Sequence, residues 1–192
     1  MPADLRKAGR FALSPGEARL IPGGRAGARP DRSCAADGSR VVRRSMTAAL
    51  ANTLTITVPG TASLGSALPG GTISASMGTV TVTDSRLGTV GWTATVSATN
   101  LTTGGGTTAE TITNGNIAYW SGPATASVGG SFRTPGQTTA AQRVPLSTTV
   151  TAFSAFKALG TSTMSWAPTL VVTVPASAVA GTYTAVVSHS VA

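Results

Sequence analysis

Beyond residue 52 the chain carries few groups able to do acid–base chemistry. Its acids there are Asp84 and Glu110, and His189 is the one histidine of the whole sequence. A two-carboxylate glycosidase would need Asp84 and Glu110 to flank a sugar bond, and nothing in the sequence brings them together. A Ser/His/Asp set would have to join His189 to Asp84, and no Gly-x-Ser-x-Gly elbow is present. Calcium asks for six or more oxygens, usually with several carboxylates. One cysteine and one histidine cannot make a four-ligand zinc site. Gly104-Gly105-Gly106 reads as a flexible turn and not as a phosphate cradle, because no helix pattern follows it. The expectation is a non-enzymatic protein with no catalytic residue, no metal and no cofactor.

The remaining chemistry is contact chemistry. Trp92, Tyr119, Trp120, Trp166 and His189 are the candidate ligand contacts, because aromatic faces are the usual stacking surface for sugars. Each also has a packing reading. Trp92 falls in the inward register of its strand, so core packing is the first reading and ligand contact the second. Trp166 precedes Ala167-Pro168, where proline removes a ladder donor and suggests a bulge at a sheet edge. Tyr119 and Trp120 are adjacent, so their rings point to opposite faces, and one is exposed unless a loop covers it. His189 alternates with Tyr183, Ala185, Val187 and Val191, which suits a buried-face or rim position. Asp84 and Arg86 read as a turn with a local ion pair of little energetic weight.

The elements that must position these groups read as β throughout. Leu54, Ile56 and Val58 alternate with threonines, as do Val80 and Val82. Val90, Trp92, Ala94, Val96 and Ala98 share one face of a third run. Segments 148–156, 169–174 and 182–191 complete the clear strands. Period 2 with threonine outward marks strands buried on one face, and the stiff χ1 of threonine suits a pleated surface. Pro59-Gly60, Pro69-Gly70-Gly71, Asn114-Gly115-Asn116, Gly129-Gly130 and Pro135-Gly136 punctuate the runs. Many short strands at such spacing predict an all-β, antiparallel, immunoglobulin-like β-sandwich over 53–192. Its large core members are expected to be Trp92, Tyr119, Trp120, Phe132, Phe153, Phe156, Trp166 and Tyr183.

Residues 1–46 are a different material. They hold ten of the 14 basic residues and four of the six acids, an excess of six positive charges; the rest of the chain has an excess of two. They contain no threonine, against 31 between residues 53 and 192. Alanine, arginine, glycine and proline make up 27 of the 46. With no period and little apolar surface, the segment is expected to be disordered. Arg/Ala/Gly/Pro excess is also what a GC-rich gene yields when read from a wrong start or frame; a solvated tail and a nucleic-acid arm are the alternatives. No nucleic-acid partner is expected, since Phe11 is the segment's only aromatic. Ala49-Leu50-Ala51 at the composition break resembles a signal-cleavage site, so 47–52 reads as a junction whose apolar upstream stretch is missing. No run of about 18 apolar residues occurs, and no membrane span is expected.

One family resemblance appears in the domain. Val82-Thr83-Asp84-Ser85-Arg86 followed by Gly91-Trp92-Thr93-Ala94-Thr95-Val96-Ser97 resembles the first half of the WxL domain of Gram-positive bacteria: a strand, an Asp-x-Arg turn, then Gly-Trp-x-Leu. Leu170–Pro175 and then Ala180-Gly181-Thr182-Tyr183-Thr184-Ala185-Val186-Val187 resemble its closing strand pair. The resemblance covers 53–192 and is loose over about 103–147. It marks Asp84, Arg86, Gly91, Pro175, Gly181 and Tyr183 as motif positions of structural weight. Alanine stands at position 94 in place of leucine, and Ser188-His189-Ser190-Val191 stands where a second Thr-Trp-x-Leu is usual. The resemblance implies an exported protein held at the cell wall, with peptidoglycan or wall polysaccharide and other surface proteins as partners. A purely structural or self-assembling subunit, pilin-like or coat-like, is the alternative.

Overall fold

The computed structural model describes residues 52–192. The expectations for segment 1–46 and for the Ala-Leu-Ala junction lie outside the described residues. The strands are β1 (Leu54–Thr57), β2 (Thr72–Ser76), β3 (Val80–Asp84), β4 (Gly91–Ala98), β5 (Leu101–Thr102), β6 (Thr111–Ile112), β7 (Ile117–Trp120), β8 (Ala124–Val128), β9 (Gly130–Pro135), β10 (Val144–Pro145), β11 (Val150–Lys157), β12 (Ser162–Trp166), β13 (Thr169–Thr173) and β14 (Val187–Val191). Helix among the described residues is limited to three single 3-10 turns. The expected all-β antiparallel sandwich is what forms.

Four sheets build it, in the orders β1-β3-β12-β8, β10-β7-β13-β2, β14-β4-β11-β9 and β5-β6, with every pairing antiparallel. The first two are one layer interrupted by bends. β2 leads into β3, β7 into β8, and β12 into β13, each across two or three residues. Proline explains two of the bends: Pro123 and Pro168 have no N–H to give a ladder. At the third, the Met77 N–H turns to donate to the Pro168 carbonyl at 2.9 Å. Trp166 and Pro168 therefore sit at an interruption, as expected. They do not sit at an edge, because β12 lies between β3 and β8, and β13 between β7 and β2.

The sheet β14-β4-β11-β9 is the second layer. Trp92 and Phe153, from β4 and β11, stack on Trp166 from the opposite layer at centroid distances of 6.3 and 4.9 Å. Val80, Val82, Ala94, Val96, Ile117, Tyr119, Met164, Leu170 and Val172 close the same core. Offset aromatic stacking adds to the area each ring buries. β11 carries a bulge between Thr151 and Phe153, so that Ala152 and Phe153 are both buried. Glycine is required at 136, where a Cβ would lie 2.1 Å from the Thr151 carbonyl oxygen.

Three expectations about the elements are corrected. Phe132 and Phe156, assigned to the core, are exposed. Strand structure at the end of the chain covers only Val187–Val191; 182–186 is irregular, held by the Thr102–Thr184 bridge and by Thr99. The two runs that resemble a closing strand pair do not pair with each other: β13 joins β2 and β7, and β14 joins β4.

Candidate functional site

The sheet β14-β4-β11-β9 turns one face to solvent, and register fixes what that face carries. Directly opposed residues share a face. Gly91, Phe156 and Phe132 form one row across β4, β11 and β9; Thr93, Ser154 and Thr134 form the next. Thr95 and Ser97 of β4 continue the face opposite Ser190 and Ser188 of β14. Phe132 is 72% exposed and Phe156 41%. Gly91 leaves open space beside the Phe156 ring, which lies 3.6 Å from where a Cβ would stand. Between these rows lies a shallow groove of about 400 Å³, bordered by Gly91, Thr93, Phe132, Thr134, Ser154 and Phe156. It carries two aromatic faces and three hydroxyls, with no charged side chain on its walls. That suits a ligand offering C–H faces to the rings and hydroxyl or amide groups to the threonines and serine.

Parity along β11 puts Phe156 there. Phe153 faces the core, so an alternating strand must point Ala155 and Lys157 inward and Phe156 outward. A second register shift between Phe156 and Lys157 sets Lys157 opposite Gly130. The inward position at 157 is therefore occupied by a lysine that is fully buried. Its Nζ donates to the carbonyls of Asp84 (3.4 Å), Gly160 (3.0 Å) and Arg86, and lies 3.5 Å from Asp84 Oδ1. Arg86 grips the same carboxylate from outside: Nε to Oδ1 and Nη2 to Oδ2, both 3.0 Å. Its own N–H adds a third bond to Oδ1 at 2.9 Å. Burial works against ionisation of Asp84, but the side chain and N–H of Arg86 prevail and bring its pKa below the ordinary value.

The Asp84–Arg86 turn is thus present as expected, and Lys157 joins it from within. Asp84 is buried, so the pair is an internal ion cluster and not a solvated surface pair. Arg86 Nη2 also donates to the Gly91 carbonyl at 2.8 Å, and the Lys157 N–H to the Val90 carbonyl at 3.0 Å. The cluster therefore ties the turn from 84 to 91 to the first residue of the aromatic row. Lys157 had no assigned role in the sequence reading. The signal was available: with Phe153 inward, Lys157 is inward too, and an inward lysine needs a carboxylate.

The other candidates divide by burial. Trp92, Tyr119 and Trp166 are core residues. Trp166 Nε1 donates to Tyr119 Oη at 3.2 Å, and Tyr119 Oη lies 3.4 Å from His189 Nε2. Burial raises the Tyr119 pKa and lowers that of His189 to about 4. None of these three rings offers a face to an outside polymer; the layers need them as filler. Trp120 faces the other way, as parity requires, and is half-buried over Gly122. His189 is half-buried on the inner face of β14, with its ring against Tyr119.

The motif positions act locally. Tyr183 Oη donates to the carbonyls of Ala109 and Val179, holding the loop before β14. Gly181 passes so close to Thr103 that a Cβ would meet Oγ1 at 2.6 Å. Pro175 accepts the Ala178 N–H in a turn after β13. Glu110 closes a loop by accepting the N–H and hydroxyl of Thr107, and those bonds lower its pKa. Neither acid stands free beside the other. Among the described residues no three His, Cys, Asp or Glu side chains gather as a metal site would require. No helix there is long and apolar enough to cross a membrane.

Comparison with family models, curated protein sequences and solved structures finds no match to this chain.

Proposed function

We propose that this chain is an exported, non-enzymatic binding module of the cell surface. It binds wall polysaccharide or peptidoglycan through the exposed face of the sheet β14-β4-β11-β9. The observation that carries the reading is the cross-strand pair Phe132–Phe156, set beside Thr93, Thr134 and Ser154. Exposed aromatic rings in register on a strand pair are costly to leave unpartnered, and such patches mark recognition surfaces. The resemblance of 82–97 and 170–187 to the WxL domain supports the same location and ligand class. The test is retention of the full chain on purified cell wall before and after its secondary polymers are stripped. Retention on both preparations places the ligand in peptidoglycan, and loss on stripping places it in the polymers. No retention on either refutes the reading.

A self-assembling surface subunit is the second reading, and β2 favours it. This strand ends its sheet order and carries Thr-Ile-Ser-Ala-Ser, with no charge and no proline to blunt the edge. Concentration-dependent sedimentation that a lysine at Ser74 abolishes would support it.

A further inference from the structure

The two layers list their strands in the same order: β1-β3-β12-β8 in one and β14-β4-β11-β9 in the other. Three connections between the layers therefore lie side by side at one end of the sandwich. They join β3 to β4 (residues 85–90), β11 to β12 (158–161), and β8 to β9 through Gly129. Lys157 Nζ binds the carbonyls of Arg86 and Gly160, which ties the first two together. Gly129 packs on the second: it has φ +67, and a Cβ there would meet the Thr161 carbonyl oxygen at 2.4 Å.

Two of the connections and the last residue of β8 each present an aliphatic side chain to solvent. Leu87 is 72% exposed, Leu159 77% and Val128 68%. With Phe132 and Phe156 beside them, this end holds five of the nine large apolar side chains exposed in the described domain. It also holds most of the domain's charge. Asp84, Arg86, Arg133 and Lys157 lie here, with two more positive charges than negative; Arg143 and Glu110, elsewhere, cancel. The one carboxylate at this end is buried between Lys157 and Arg86. Arg133 is exposed and has no ion-pair partner among the described residues.

We propose that this end docks on an anionic lipid surface, with Leu87, Leu159 and Val128 entering the boundary between headgroups and acyl chains. Three protruding aliphatic tips offer no flat face for a sugar ring. Insertion of apolar tips by about 5–10 Å, with arginines at headgroup level, is the geometry by which peripheral proteins hold an anionic leaflet. The Phe132–Phe156 row adjoins both surfaces, whereas Leu87 and Leu159 lie in the connections, outside the rows of the wall-binding face. Lipid docking is therefore a second activity, separated from binding on that face by substitutions at Leu87 and Leu159.

The test uses the full chain and its Leu87→Ser/Leu159→Ser variant. Both are mixed with phosphatidylcholine vesicles containing about one-third phosphatidylglycerol, at low salt and at about 0.5 M NaCl, where charge attraction from any basic segment is screened. The parent is expected to co-sediment with vesicles at both salts, and the variant to partition at least about tenfold less at high salt. An unchanged melting temperature shows that the exposed substitutions leave the fold intact. Equal partitioning of the two proteins overturns the proposal. So does parent binding that vanishes at high salt, which would leave only an anion patch. A parent dimer that the variant dissolves would assign the ridge to a second copy and overturn it as well. Loss of cell-wall retention in this variant, with vesicle binding unchanged, would also refute the separation of the two surfaces.

Discussion

Acidification should act on this fold through His189. β14 sets the residue opposite Val96 on the inner face, with its ring centroid 5.9 Å from that of Tyr119. Burial lowers its pKa from 6.5 to about 4. The unfolded chain, titrating near the ordinary value, takes up the proton first as the pH falls. A depressed folded-state pKa in a histidine means that stability is intact above about pH 6.5 and drains away between there and pH 4. At about 1.4 kcal/mol per pH unit, the loss by pH 4 is about 2–3 kcal/mol, the lower figure allowing for the solvent-facing part of the ring. His189 is the only histidine, so no other imidazole shares this window. Asp84 and Glu110, both held below their ordinary values of 3.8 and 4.5, begin to give up their contributions only at the acid end of this range and lose the rest as the pH falls further. Denaturant midpoints read by tryptophan fluorescence at pH 7, 5.5 and 4 supply the measurement, on the parent and on His189→Phe. The phenyl ring keeps the packing against Tyr119 and forfeits only a long 3.4 Å hydrogen bond. The parent should lose those 2–3 kcal/mol over the range and the variant less than about 1. A variant as pH-sensitive as the parent would refute the assignment.

Two further substitutions test the interior. Lys157→Met leaves Asp84 buried with Arg86 alone, and unfolding should show a loss of about 3 kcal/mol; a neutral result would mean that the cluster is solvated. Trp92→Ala removes a ring stacked on Phe153 and Trp166 and should cost about 3–5 kcal/mol in the same assay. Loss of wall retention at unchanged stability would instead make Trp92 a contact.

Period 2 was enough to place Trp92, Ala94 and Val96 inward and Thr93 and Thr95 outward, and to separate Tyr119 from Trp120. It was not carried far enough along β11. Phe153 and Phe156 stand three residues apart, so a regular strand cannot bury both. Hydrophobicity alone assigned both to the core, and the exposed face was missed with them. The buried ion cluster was half legible. The Asp84–Arg86 turn follows from local sequence, but its burial depends on Lys157, which arrives 73 residues later from another layer. Where the bends fall was signalled by Pro123 and Pro168. That they turn three strands together is a property of sheet order, which local sequence does not encode. The connections carrying Leu87 and Leu159, and Val128 at the end of β8, likewise become neighbours only through the matching strand orders of the two layers.

The most direct test of the central claim is the affinity of the full chain for purified cell wall, compared with that of Phe132→Ser/Phe156→Ser. Both rings are exposed, so the double substitution should leave the melting temperature within a few degrees of the parent. Removing two stacking faces should weaken wall binding at least about tenfold. A folded variant that binds the wall as tightly as the parent would contradict the account.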